Sequence, residues 1–379
     1  MDFESKFDYT NIDEYQIEIT SYCNAACPQC PRNDLGQGIN PFMPLGHLDR
    51  AVIDCAFPQE LCQRLRQIFF CGSYGDPIMH PDFLDILWDF RNKTPSLWLY
   101  IHTNGGVHHE DYWREIAKIL NGYGQIDFGI DGIGDTLSLY RRNVDFDTVL
   151  RNAQSFISAG GRAQWNFIVF QHNQHQVEQA RLLSQQLGFF NFLPRRTGRF
   201  FDHAREEEMK QWPVKDRSGK IEYYLYPPTV TSWRNISTQR LPDLKQRYSD
   251  LQIYFNTTPI TCDAVKGKKV AINVEGLVLP CNFFNHNLYD ARFHGNYLPG
   301  RHCLHNDHDK NQVRTFLETY GLDNLNIHHH PLEKIFQNSM WSDLVGSWQK
   351  PLGQGRLFEC AMTCGQEFTK VWDQGGNKQ

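Results

Sequence analysis

Three cysteines crowd into eight residues, Cys23-Asn24-Ala25-Ala26-Cys27-Pro28-Gln29-Cys30, with three and then two residues between them. That spacing can put three thiolates on three irons of a cubane cluster and leave the fourth iron without a protein ligand. Thiolates are the usual holders of iron-sulfur clusters. The open corner is where chemistry can happen. A zinc site would need a fourth ligand, such as His47, and no second Cys-x-x-Cys pair lies at the spacing of a zinc ribbon.

The residues before this loop, Glu14 to Thr20, alternate polar and apolar and read as a strand that runs straight into it. The pattern then repeats. Predicted strands cover 68–71, 97–102, 126–132, 165–170 and 189–193, and predicted helices cover 48–67, 82–93, 112–120, 146–159 and 177–187. Six strand-helix repeats, spaced roughly as βα units are, predict an α/β fold: a partial parallel (βα)6 barrel. Each strand ends in a polar or glycine-rich turn, and such ends form the face on which parallel barrels build active sites. Gly72, Gly75 and Asp76-Pro77 follow the second strand, and Thr103-Asn104-Gly105 follows the third. Asp131 ends the fourth, with Tyr140-Arg141-Arg142 beyond it. Val169 and the trio Gln171-His172-Asn173 end the fifth.

Together these residues resemble the radical S-adenosylmethionine (SAM) enzymes. The resemblance implies that Cys23, Cys27 and Cys30 hold a SAM-binding 4Fe-4S cluster. Gly72, Gly75 and Asp76 stand where the superfamily carries a Gly-Gly-Glu-type motif for the SAM amino group, with Asp one methylene shorter than Glu. Thr103 and Asn104 correspond to a stretch beside the SAM ribose and carboxylate. Asp131 and either Arg141 or Arg142 resemble the region that supplies a cation for the SAM carboxylate, and arginine suits a carboxylate because its fork binds it in bidentate fashion. Val169 and His172 are expected near adenine or substrate. One departure is Gln29, which stands where the superfamily usually has an aromatic residue packing near the adenine.

Cys262, Cys281, Cys360 and Cys364 form a second set. Alternating apolar residues on either side of Glu275-Gly276 predict a β-hairpin that brings Cys262 and Cys281 together. Cys360 and Cys364 are four apart, on one face if helical. The arrangement Cys-x13-Gly-x4-Cys resembles the opening of SPASM and Twitch domains, and the missing longer cysteine run favours a Twitch-like module with one auxiliary 4Fe-4S cluster. Cys303 is a spare thiol, a replacement ligand or the lip of a substrate site, and His328-His329-His330 is most economically a polar turn before Pro331, with metal binding the lesser alternative. Cys55 and Cys62 read as ordinary core or helix-surface thiols.

These readings divide the chain into a barrel (1–205), a linker or bridging region (206–257) and a Twitch-like domain (258–379). Its 379 residues, with a net charge of −5, carry no global basic footprint, so nucleic acid is not an expected partner. No apolar run approaches the roughly 18 residues of a membrane span, and the acidic opening lacks signal-peptide order. Eleven cysteines in these groupings point to metal in a reducing cytoplasm rather than to disulfides.

The resemblance implies reductive cleavage of SAM to a 5′-deoxyadenosyl radical that abstracts hydrogen from a substrate. Relatives with such extensions commonly act on ribosomally made precursor peptides by crosslinking, epimerisation or backbone splicing, the last as in the spliceases. Cys23 lies close to the start of the sequence, which implies a separate leader-recognition protein, and the electron implies an external donor such as flavodoxin or ferredoxin. Two alternatives stay open: a small-molecule Twitch-type dehydrogenase or cyclase, and a non-enzymatic iron-sulfur or zinc scaffold.

Overall fold

The computed structural model describes residues 6–197, 199–202, 207–289 and 312–366. Its centre is an eight-stranded, mostly parallel sheet. Six strands come from the βα repeats: β1 (Glu14–Ile17), β2 (Gln67–Phe70), β3 (Trp98–Thr103), β4 (Gly124–Gly129), β5 (Ala163–Val169) and β6 (Asn191–Arg196), each parallel to the one before it. This is the mixed α/β, partial-barrel architecture expected from the strand-helix rhythm.

Alternation explains how each strand sits. On β3, Leu99, Ile101 and Thr103 are buried while Trp98, Tyr100 and His102 are half-buried. The apolar set faces the helices Phe83–Lys93, Glu110–Leu120 and Phe146–Ser158, which pack side by side. Phe128 of β4 anchors this layer, with Trp113 at 5.4 Å and Phe156 at 6.2 Å between ring centres. The helix expected over 48–67 is two helices, Arg50–Ala56 and Gln59–Arg64, separated at Pro58. Proline has no N–H for an interior helix bond, and it serves here as the cap of the second helix.

The region read as a linker is folded over the barrel mouth. Trp212–Lys215 (β7) and Ile221–Leu225 (β8) form an antiparallel hairpin, followed by the helices Ile236–Arg247 and Leu251–Thr257. Its charged residues mask a short apolar alternation: Trp212, Val214 and Leu225 bury one face.

The predicted C-terminal hairpin is present, as β9 (Lys269–Ile272) and β10 (Val278–Leu279). Its loop is wider than two residues. Asn273 Oδ1 accepts the N–H groups of Glu275 and Leu277, and Gly276 takes the left-handed conformation, φ 83°. β9 pairs in parallel with β1, Glu14 opposite Lys269 and Ile17 opposite Ile272, so the hairpin continues the barrel's own sheet. No described helix is long and apolar enough to cross a membrane.

Candidate active site

The loop after β1 is tied down through Cys27, whose carbonyl accepts Cys30 N–H at 3.1 Å and Asn33 Nδ2 at 3.2 Å. The β7–β8 hairpin holds it from outside, Trp212 Nε1 donating to the Pro28 carbonyl at 3.2 Å. The three thiols share one electrostatic neighbourhood. Burial, then Asp76, then Cys27 and Cys30, push Cys23 well above the ordinary thiol range. Burial also pushes Cys27 up to about 12; Arg141 opposes this, and Cys30 and Asp131 add to it. Ligation must displace such protons, which is ordinary for thiolate sites. Among the described residues no three His, Cys, Asp or Glu side chains converge on the position of a single metal ion. Cubane thiolates attach to separate irons, so the donor chemistry of this set fits a cluster.

Asp76 lies directly beside the loop. Its Oδ2 accepts Thr103 Oγ1 at 3.0 Å, Asn104 N–H at 2.8 Å and Asn104 Nδ2 at 2.7 Å, while Oδ1 accepts Ile78 N–H at 3.3 Å. Asn104 Nδ2 also donates to Asn24 Oδ1 at 2.9 Å and approaches Cys23 Sγ at 3.7 Å. The strand-end residues singled out in sequence are thus one network, and the Asp76 carboxylate is engaged by protein donors. The two glycines have a structural use: a Cβ on Gly72 would stand 1.8 Å from the Gly75 carbonyl oxygen, and one on Gly75 would stand 1.9 Å from that of Thr20. Each permits backbone to pack on backbone.

Of the two arginines, Arg141 points inward. Its Nε donates to Asp131 Oδ2 at 2.6 Å, and Asp131 Oδ1 accepts Ile168 N–H at 2.6 Å. Burial works against the Arg141 charge, and Asp131 and then Cys27 outweigh it, so the guanidinium is held protonated. A Cβ on Gly129 would lie 2.3 Å from Arg141 Nη2, so only glycine lets the side chain cross β4. Arg142 instead reaches outward to the Lys215 carbonyl and Glu222.

Val169 shares the buried face of Trp165 and Phe167, so its side chain belongs to the core. His172 stacks on Phe170, and its buried Nε2 has no hydrogen-bond partner among the described residues. Burial, then His175, lowers it to about 4, so it is neutral at ordinary pH. Gln29 is fully buried, and neither amide atom has a hydrogen-bond partner among the described residues. His47 stacks on Tyr22 and edges His80.

The second cysteine set also converges. Cys364 is raised first by a hydrogen bond with Cys262 and then by burial, and Cys360 first by burial and then by Cys281 and Cys364. Burial, then Cys364, pushes Cys281 up to about 12. Cys360 and Cys364 share the helix Phe358–Cys364, and the Cys364 carbonyl accepts Thr261 N–H at 3.0 Å beside Cys262. Cys303 lies outside the described residues. His328 and His329 sit exposed in a turn.

Two features escaped sequence reasoning. Glu18, just past β1, is buried and joins both cysteine regions: Oε1 accepts Tyr74 N–H at 2.6 Å and Gly75 N–H at 3.3 Å, and Oε2 accepts Asn285 Nδ2 at 2.6 Å. Asn285 belongs to the helix Asn282–Leu288, which starts at Cys281. Ser73 bonds Asn282 in the same junction. The second feature is the polar inner face of the sheet. Alternation within Gln125-Ile126-Asp127-Phe128 and Gln164-Trp165-Asn166-Phe167 carried that signal, since a strand with helices on one side and a closed apolar core on the other would show apolar residues on both faces.

Comparison with known proteins agrees over the first half of the chain. A sequence model of the Radical SAM superfamily matches residues 17–183. No curated protein matches the sequence. Solved structures that it resembles include Streptococcus suis SuiB bound to the precursor peptide SuiA, at 15% identity and TM-score 0.47, over 73% of this chain and 62% of that one. Native anSMEcpe with bound AdoMet is 15% identical, TM-score 0.48, over 93% and 89% of the two chains. BtrN in complex with AdoMet and 2-DOIA is 12% identical, TM-score 0.40, over 92% of each. The chain therefore spans less than two thirds of the length of SuiB. The Radical SAM superfamily model thus covers the segment that contains Cys23, Cys27, Cys30, Asp76, Asn104, Asp131 and Arg141.

Proposed function

We propose that the chain cleaves SAM reductively and uses the resulting radical to take hydrogen from a peptide. The observation that carries the reading is the meeting of Cys23, Cys27 and Cys30 with the Asp76–Asn104 network and the Asp131–Arg141 pair at the ends of four adjacent strands. When bound, a 4Fe-4S cluster supplies the electron and SAM supplies the 5′-deoxyadenosyl radical. The protein's residues do the rest. Cys23, Cys27 and Cys30 hold the cluster, and Asn104 sets the Cys23 sulfur through its amide. Arg141, fixed by Asp131, keeps a positive charge beside Cys27 and offers its remaining donors to the SAM carboxylate. Thr103 and Asn104 hold Asp76 in place beside the ligand. The β7–β8 hairpin covers the loop and limits water.

A peptide substrate is favoured by an exposed apolar strip on and after β8, comprising Ile221, Tyr224, Tyr226 and Val230. Such a strip suits an extended chain better than a compact polar metabolite. Residues 258–379 would serve as a Twitch-like module whose Cys262, Cys281, Cys360 and Cys364 hold one auxiliary cluster, used to relay an electron or to position the peptide. The ten described cysteines are all unpaired, as suits a reducing cytoplasm supplied with a flavodoxin or ferredoxin donor.

The test is an anaerobic assay of the reconstituted chain with dithionite and SAM. The wild type should form 5′-deoxyadenosine, and the triple variant C23A/C27A/C30A should form none; equal formation by both would end the reading. Iron and sulfide analysis separates the scaffold alternative, with about eight irons per chain expected for two cubanes. Mass spectrometry of candidate precursor peptides then reads the outcome as loss of mass, loss of two hydrogens or no change.

A further inference from the structure

The inner face of the sheet carries a hydrogen-bonded polar cluster with no role in the SAM site described above. Its centre is Asp127 on β4, which has no exposed side-chain surface. Oδ2 accepts Tyr100 Oη at 2.6 Å, Gln164 Nε2 at 2.7 Å and Asn166 Nδ2 at 2.8 Å, with His102 Nε2 at 3.1 Å, and Oδ1 accepts Gln125 Nε2 at 2.9 Å. A carboxylate loaded in this way has no acceptor capacity left for a ligand. The Asn166 Oδ1 acceptor is used as well, by Gln164 Nε2 at 3.1 Å and by Arg195 Nε at 3.1 Å.

What the cluster leaves over is donors. Arg195 spends only Nε, and among the described residues its two Nη groups have no protein partner. It adds a positive charge on the side of the sheet where Asp131 is already matched by Arg141. His102 spends Nε2 on Tyr100 Oη at 2.7 Å and on Asp127, and its side chain remains 36% exposed, with Nδ1 bonded to no described residue. The two outward groups are linked in a fixed order: Arg195 to Asn166, Asn166 to Asp127, Asp127 to His102. The register places His102 opposite Asp127 and Arg195 opposite Ile168, whose N–H is bonded to Asp131. The donors therefore lie on the concave side of the strands whose ends carry the SAM network.

We infer that Arg195 and His102 form an anchor for a carboxylate of the substrate, with Asp127 and Asn166 as the residues that position them. An arginine fork with both Nη groups open is the geometry that binds a carboxylate in bidentate fashion. The inference rests on the peptide reading above and narrows it to peptides that bring an acidic side chain or a free C-terminal carboxylate into the barrel.

Three probes separate these sources: Ac-Gly-Glu-Gly-NH2, Ac-Gly-Gln-Gly-NH2 and Ac-Gly-Gly-Gly-OH, each titrated onto the anaerobically reconstituted full chain with SAM and followed by saturation-transfer NMR. At least one carboxylate probe should bind about tenfold or more tightly than the Gln probe, the range of a charge-assisted hydrogen bond. R195Q should remove that preference, H102Q should reduce it, and R195K should retain part of it. Equal binding of all three probes to the wild type would overturn the anchor, as would an undiminished preference in R195Q. 5′-Deoxyadenosine formation by the wild type is measured in parallel: if it is absent, the radical reading fails, while the carboxylate preference is still read by NMR.

Discussion

Replacing Glu18 by Gln should remove a pH dependence from the stability of the fold. Burial, opposed by the Tyr74 N–H, the Asn285 amide and the N–H groups of Gly75 and Ser73, pushes this carboxyl up from its ordinary 4.5 to about 7. Between those two values the folded chain keeps a proton that the unfolded chain has released. The stability that Glu18 contributes is therefore fully present below about pH 4.5, falls as pH rises, and levels off above about pH 7. The difference corresponds to about 3 kcal/mol across that window. Glutamine keeps an oxygen for Tyr74 and Gly75 and has no charge to desolvate. Its amide nitrogen then faces Asn285, which must turn its own oxygen toward it and give up the long 3.3 Å bond from Asn273. Urea unfolding of the reduced, metal-free chain at pH 5 and pH 8, followed by tryptophan fluorescence, measures the effect. E18Q should gain on the wild type by about 3 kcal/mol between the two conditions. An unchanged difference between variant and wild type at the two pH values would refute the reasoning.

Other substitutions test the site piece by piece. R141M leaves Asp131 buried without its cation and should destabilise the chain by about 3–5 kcal/mol in the same unfolding assay, and R141K should recover part of that loss. G75A drives a methyl group into the Thr20 carbonyl, so a loss of about 1–3 kcal/mol is expected, the usual range for overpacking. C262A/C281A should lower iron from about eight to about four per chain, since only the first cubane would remain. W212A removes the bond to the Pro28 carbonyl, and the cluster loop should then be cut faster in limited proteolysis.

The barrel was legible because its strands alternate cleanly and end in polar or glycine-rich turns. What stayed hidden is partnership. Gly72 and Gly75 announced close approach by some group, yet nothing in the order of residues says that the group is the chain's own backbone. Asp76 announced a carboxylate at a strand end, but its donors, Thr103 and Asn104, come from the neighbouring strand. Arg141 and Arg142 are adjacent and chemically alike, and only the gap over Gly129 decides which turns inward. The β7–β8 hairpin was hidden by composition, because Trp212, Val214 and Leu225 are few among many charges. Glu18 and Asp127 were readable in principle, since each interrupts an apolar strand on the concave side. Their bonding partners, Asn285 and His102, become neighbours only once the sheet has formed.

The parallel pairing of β9 with β1 sets an order of events during folding. The strand that feeds the cluster loop can zip to β2 early, but its other edge waits for Lys269–Ile272, made long after. Parallel pairing over so great a sequence separation is slow, and until it forms that edge is open to other chains. Cys23, Cys27 and Cys30 would then be exposed in the unfinished barrel for longer than the rest of the site. Assembly of the proposed cluster on these thiols would thereby be coupled to completion of the sheet, and oxygen or a competing metal would act most easily during that interval.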